Sequence, residues 1–317
     1  MTPAPFVPPT SSWAAPEALP VGASPARTSD PLGGPVRPVR GEPPVPIVLR
    51  PMHQVAIYDG AFEVMKARPK MLLTLSLLVT APMTVLAHLA RGDLDRLDLL
   101  SAVDGMLVGT SDDATTIFDL VDDRPWGLVA GLGLEMLATF VVGVLVARAV
   151  ASWYAGDDPS GREVARSVGR RTWPMLGAFA VMLAAQTTGL AVLCIGLVVP
   201  LTWFAVLAPV LGVEQLGGRA AVTRSFRLAN LGFSRVFGPV IGVIVIDQVV
   251  RVALETIPLT LVETFPEPMV EPMQVALAAG VGAVSNVFIA ASATLIYLSV
   301  RVRSEGLDLE LEATDVL

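Results

Sequence analysis

Six long apolar runs follow one another from about residue 70 onward, separated by short polar segments. Each run is near the length that an α-helix needs to cross a hydrocarbon core, roughly 17–25 residues. The pattern predicts an all-α, polytopic membrane protein with six transmembrane helices. The predicted spans cover residues of about 71–90, 126–147, 174–194, 196–213, 238–259 and 273–299.

Two shorter segments, residues 53–67 and 219–235, alternate apolar and charged positions with a helical period. They predict amphipathic helices that lie in the membrane interface, with the apolar side toward acyl chains and the guanidinium groups toward anionic lipid phosphates. In the second segment the apolar positions are Val222, Phe226, Ala229 and Phe233. The candidate lipid-headgroup contacts are Arg219, Arg224, Arg227 and Arg235.

The two ends of the chain differ from its middle. Residues 1–45 are rich in Pro, Ala, Ser and Gly, which predicts a disordered cytoplasmic tail. Residues 46–303 form the six-span membrane domain, and residues 304–317 an acidic cytoplasmic tail. Because no cationic start followed by an apolar core is present, the first span is expected to act as an uncleaved insertion signal.

Composition agrees with a bilayer setting. The chain is 53% hydrophobic and 16% charged, with a mean hydropathy of +0.64. Its net charge of −7 gives no reason to expect a nucleic-acid partner. The one cysteine, Cys194, excludes an internal disulfide and a thiolate metal site.

The distribution of charge predicts the sidedness of the protein. Arginine and lysine are concentrated before the first span, in residues 148–171 and 213–236, and after the sixth span. Residues 91–125 and 260–272 are acidic, and residues 193–196 are uncharged. By the positive-inside rule, both termini are expected in the cytoplasm of a cell whose plasma membrane holds the protein.

A candidate intramembrane polar site is formed by three of the ionisable residues inside predicted spans: Glu135, Asp247 and Arg251. Asp247 and Arg251 share a helix face at i, i+4, which lowers the cost of burying either charge. Two interpretations remain open: a polar patch facing a cavity, for a lipid headgroup or a proton, or a self-neutralised pair that stabilises helix packing. Glu135 is expected to be protonated or to reach another helix, with Arg251 as a candidate partner.

No constellation of catalytic residues is found in the sequence. His53 and His88 are isolated, and neither a G-x-S-x-G nor a GxxxxGK[ST] motif occurs. The aspartates of residues 91–125 lack the spacing of a calcium loop. We therefore expect no enzymatic activity, no metal and no cofactor.

Three segments resemble a known family: LRPMHQVAIYDGAFEVMKARPK, LAPVLGVEQLGGRAAVTRSFRLANLGFSRVFG and LIYLSVRVRSEGLDLELE. Together they are similar to actinobacterial multi-pass membrane proteins labelled glycerophosphoryl diester phosphodiesterase membrane-domain-like. The matching positions of the second segment include Glu214, Arg224 and Arg235, and those of the third include Tyr297 and Arg301. The resemblance implies a six-span membrane module, and not the soluble phosphodiesterase barrel.

Two functional hypotheses follow. The first is a non-enzymatic scaffold or accessory subunit of a cell-envelope assembly, which binds anionic lipid and membrane protein partners through its interfacial helices. The alternative is a transporter or lipid-handling protein with a polar intramembrane site. Convergence of Glu135 with Asp247 and Arg251 on one internal cavity would favour the second.

Overall fold

The computed structural model describes residues 52–91, 125–191, 195–262 and 266–306, which are almost entirely helical and contain no strand. The all-α prediction is confirmed for these residues. Their helices are α1 (Gln54–Ala67), α2 (Pro69–Arg91), α3 (Pro125–Tyr154), α4 (Gly161–Gly169), α5 (Thr172–Ala191), α6 (Ile195–Phe204), α7 (Leu207–Val213), α8 (Gly218–Leu231), α9 (Phe233–Val262) and α10 (Glu267–Glu305). The predicted N-terminal tail, residues 1–45, lies outside the described residues.

Four of the described helices are long and apolar enough to cross a membrane: Pro69–Arg91, Val129–Tyr154, Phe233–Leu254 and Pro268–Glu305. They correspond to the first, second, fifth and sixth predicted spans, and they indicate a membrane protein. The second predicted span ended at residue 147, whereas α3 continues through Arg148 to Tyr154.

The third and fourth predicted spans are less regular. α5 is a 20-residue helix, whereas the fourth apolar run is divided into α6, of 10 residues, and α7, of 7 residues. The interruption lies at Ala205–Val206. Pro209 explains it, because its ring clashes with the carbonyl of residue 205 and it has no N–H to donate there, so it is tolerated only in the first turn of a new helix.

α10 is the central helix, in contact with α1, α2, α3, α7 and α9. α2 and α7 both pack against α3. α5 and α6 form a pair, and α8 contacts α5, α6 and α7. Large side chains fill the shared core, among them the fully buried Trp153, Leu207 and Tyr297.

α1 buries one side against α10, through Ile57, Gly60, Ala61 and Val64. On the outer side Val55 is 66% exposed, and Phe62, although 43% exposed, lies against Phe288 of α10 with ring centroids 5.0 Å apart. α1 is therefore fastened to the bundle and still presents apolar side chains outward. It ends before Pro69, as predicted, because α2 begins with that proline.

Candidate functional site

The three charged residues predicted for the membrane interior line one cavity. Glu135 comes from α3, and Asp247 and Arg251 come from α9. The cavity has a volume of about 330 Å³ and is bounded by α2, α3, α9 and α10. We call it the polar cavity; its other polar lining residues are Thr80, Thr84, Thr139, Gln248 and Asn286.

Asp247 and Arg251 are joined through a serine of the central helix. Arg251 Nη2 donates to Ser285 Oγ at 2.7 Å, and the Ser285 hydroxyl donates to Asp247. The direct distance from Arg251 Nε to Asp247 Oδ2 is 3.7 Å. Each charge is thereby compensated beside the cavity, which reduces the cost of holding it among apolar helices.

Glu135 reaches another helix, which was one of the two expectations, but the ion-pair partner found there is Arg91 of α2 and not the candidate Arg251. Arg91 Nη2 lies 2.9 Å from Glu135 Oε1, and both side chains are mostly buried. Arg91 is the last residue of α2, and its side chain runs along α3 over Gly131, where an added Cβ would lie 2.5 Å from Arg91 Nε. Glycine on α3 therefore makes the pair sterically accessible.

A chain of neutral hydrogen bonds ties three helices together at the wall of the polar cavity. Asn286 Nδ2 donates to Thr80 Oγ1 at 3.0 Å, and Thr139 Oγ1 donates to Asn286 Oδ1 at 2.7 Å. These bonds join α2, α3 and α10, and such cross-helix hydrogen bonds are a common way of packing helices in membranes. They hold the helices that frame the cavity in a fixed register.

His88, expected to stand alone, lies 2.8 Å from Glu271 through Nε2. Glu271 is the exposed member of the pair, which connects the end of α2 to the start of α10. Among the described residues, no group of three or more His, Cys, Asp or Glu side chains is close enough to hold a metal ion.

A second polar cluster lies at the opposite ends of these helices, where α7, α8 and α10 meet. Arg224 Nε donates to Glu214 at 3.0 Å, and its Nη2 donates to Glu305 at 2.6 Å. Glu214 also accepts from the Tyr297 hydroxyl at 2.8 Å, and Arg301 Nε donates to Glu305 at 2.9 Å. We call these five residues the Arg224 network.

The candidate headgroup arginines do not share one environment. The Arg224 side chain is only 12% exposed and points into the bundle. Its hydrogen bonds to Glu305 raise its pKa above the usual value against the opposing effect of burial, so it remains a cation. Arg219, Arg227 and Arg235 are exposed.

No protein-family model, curated protein or solved structure matches this chain. The three segments that carry the sequence resemblance nevertheless meet in space. Met52, from the first segment, donates its backbone N–H to Ser299 Oγ at 3.2 Å and accepts from Arg303 Nη2 at 2.9 Å. The Arg224 network joins the second segment to the third. These contacts give the three motifs one shared structural role at this end of the bundle.

Proposed function

We propose that this protein is a transporter or lipid-handling protein that binds a polar group of its ligand in the polar cavity. One observation carries the proposal: Glu135, Asp247 and Arg251 converge on a single cavity between apolar helices. A charged side chain at mid-bilayer costs about 2.5–3.5 kcal/mol on insertion scales, and such residues commonly mark substrate or ion pathways.

The chemistry of the cavity suits a zwitterionic ligand, which carries a positive and a negative charge, or a headgroup that forms hydrogen bonds. The carboxylates of Glu135 and Asp247 accept hydrogen bonds, and the Arg251 guanidinium donates them. Threonine, glutamine and asparagine side chains supply further neutral groups, and aliphatic side chains such as Leu132 and Val252 complete the wall. A pair that served only helix packing would not need an opening of about 330 Å³ beside it.

The proposal includes a six-span topology with both termini in the cytoplasm. α5 and the α6–α7 pair would then be the two spans that add to the four long ones. The alternation of basic and acidic connecting segments supports it. Two exposed tryptophans fit the interfacial positions it requires. Trp126, 82% exposed, lies at the outer start of α3, and Trp173, 84% exposed, at the inner start of α5.

A scaffold role, as a non-enzymatic accessory subunit of an envelope assembly, is the second candidate. It is favoured by the exposed outer faces of α1 and α8, where Val55, Phe226 and Arg227 are available to lipid or a membrane protein partner. We propose that both helices lie in the cytoplasmic interface and bind anionic lipid. Membership of the family that the sequence resembles belongs to the same proposal.

Topology mapping tests the membrane arrangement. A reporter that works only in the cytoplasm is expected to be active when it is fused after Leu317. A tag inserted beside Asp112 should be labelled from outside intact cells. The reason is that arginine-rich connections stay inside while the acidic 91–125 segment crosses. An external C-terminus, or a tag at Asp112 that is labelled only after cell lysis, would contradict the topology.

Substitutions in the polar cavity test the function. Glu135→Gln and Arg251→Ala are each expected to reduce growth or lipid export at least about tenfold, because each removes a charged ligand contact worth 1.4 kcal/mol or more. The measurement is complementation of a deletion strain, at matched protein levels. Glu271→Gln and Arg162→Ala remove exposed charges away from the cavity and serve as controls. Wild-type activity in both cavity variants would leave only the scaffold role.

A further inference from the structure

A larger cavity lies at the arginine-rich end of the bundle, apart from the polar cavity. Its volume is about 500 Å³, and it is bounded by the start of α1, the junction of α8 and α9, and the last turns of α10. We call it the basic-end cavity. Arg235 and Arg251 lie sixteen residues apart on α9, which corresponds to about 24 Å along a helix, so the two cavities are separate.

The basic-end cavity has a positive lining. Arg235 and Arg303 both line it, and its lining residues include neither Asp nor Glu. The carboxyl ends of α8 and α10 also reach the cavity, but each carries only about half a unit of negative charge. Two full guanidinium charges outweigh them, so the cavity attracts anions.

Two helices also begin here, which adds donors for an anion. α1 starts at Gln54, and its N-cap residue His53 makes no side-chain capping bond. α9 starts at Phe233, and Ser234 in its first turn lines the cavity. The first N–H groups of a helix have no partner within the helix and favour a negatively charged oxygen. In α9 the Arg235 N–H already donates to the Gly232 carbonyl oxygen at 2.9 Å, which leaves the two N–H groups before it.

The two arginines are engaged to different degrees. Arg303 uses Nη2 to hold the Met52 carbonyl oxygen at 2.9 Å, which fixes its side chain across the cavity wall. Arg235 is exposed, and its guanidinium has no ion-pair partner among the residues that the structure describes. Arg224 on the neighbouring helix shows the contrast, since two carboxylates satisfy it. Arg235 thus has donors available for a ligand.

The apolar part of the lining of the basic-end cavity comes mainly from Met52, Ile57, Ile296 and Val300. Further polar groups come from His53, Gln54, Ser299 and Ser304. Leu231, at the rim, is 60% exposed. A cavity that combines guanidinium donors with aliphatic walls matches a phosphate group attached to a hydrophobic body better than it matches a small hydrophilic anion.

We propose that the basic-end cavity binds the phosphate of an anionic glycerophospholipid from the cytoplasmic leaflet. Arg235 and Arg303 contact the phosphate oxygens, the first turns of α1 and α9 face the same oxygens, and the aliphatic wall packs against the glycerol and the upper acyl carbons. The site rests on the proposed membrane topology but not on the polar cavity, so Glu135→Gln should leave it unchanged.

The test uses the full-length protein in a neutral detergent, with native mass spectrometry to count bound phosphatidylglycerol against phosphatidylcholine. Arg235→Gln is expected to reduce the affinity for phosphatidylglycerol about tenfold, because it removes one charge-assisted contact. This variant breaks no internal bond, so it should fold. Arg162→Gln, an exposed change on α4 outside the cavity and outside the proposed lipid-binding helices, is the matched control and should bind normally.

Two results would overturn the proposal. The first is equal weakening by Arg235→Gln and Arg162→Gln, which would mean diffuse surface attraction and no defined site. The second is displacement of phosphatidylglycerol by equimolar inorganic phosphate or glycerol phosphate, which would assign the cavity to a soluble phosphate compound. Selective loss in Arg235→Gln without such displacement supports the lipid site.

Discussion

Replacing Arg224 by alanine is expected to destabilise the folded protein by about 3 kcal/mol, as for other buried ion pairs that lose one partner. The Arg224 guanidinium bonds Glu214 and Glu305, and their side chains are only 16% and 26% exposed. Its removal leaves both carboxylates close to each other without their shared cation. In thermal unfolding of the detergent-solubilised protein, we expect Tm to fall by about 5 °C or more.

Arg227→Ala is the control for this prediction. It lies one turn along the same helix, is exposed, and should change Tm little. Arg224→Lys should recover only part of the loss, because an ammonium cannot form the fork-shaped contact with Glu305. The raised pKa of Arg224 means that its contribution is fully present below its usual pKa, so it should not decline in mildly alkaline buffer. Equal Tm values for Arg224→Ala and Arg227→Ala would show that the network adds no stability.

The sequence predicted the long helices well because their apolar runs are continuous. It did not give the position of the break within the fourth apolar run, 196–213, because composition alone does not show where a proline divides a run. The interruption before Leu207 depends on the place of Pro209 in the first turn of α7, which is a backbone effect. The helix lengths were also underestimated, because α3 and α9 each have 30 residues and extend past the ends of their apolar runs.

Part of the polar cavity could be predicted, because charged residues inside apolar runs are rare and conspicuous. The Arg91–Glu135 pair was missed, since Arg91 was assigned to the acidic segment 91–125 and its reach depends on the groove at Gly127 and Gly131. The spacing Gly127, Gly131, Glu135 was the available signal, because small residues four apart mark close helix contact.

The Arg224 network was not visible in the sequence. Helical periodicity placed Arg224 with the surface arginines of its segment, and its partner Glu305 lies 81 residues away. Only the packing of α8 beside the end of α10 brings the two together. The resemblance motifs contained both residues, but a motif does not reveal which of its members touch.

Small residues at helix contacts provide the last prediction, in which two similar substitutions should have opposite effects. Gly212 of α7 packs against α3 so closely that an added Cβ would lie 2.6 Å from the Val144 carbonyl oxygen and 2.8 Å from Ala147 Cβ. Gly212→Ala is expected to cost about 2 kcal/mol, because the backbone of α3 cannot yield as a flexible side chain would. It should also displace Glu214, two residues further on, from the Arg224 network.

The matched substitution is Gly280→Ala in α10, a helix position where an added Cβ meets nothing within 4 Å. Gly280 therefore faces open space and takes no part in a close helix contact. Because alanine is the better helix former, Gly280→Ala should be neutral or stabilising by up to about 1 kcal/mol. Thermal unfolding of both variants in one detergent measures the contrast. If Gly212→Ala were as stable as Gly280→Ala, the contact between α7 and α3 would be looser than described, and the placement of Glu214 beside Arg224 would have to be reconsidered.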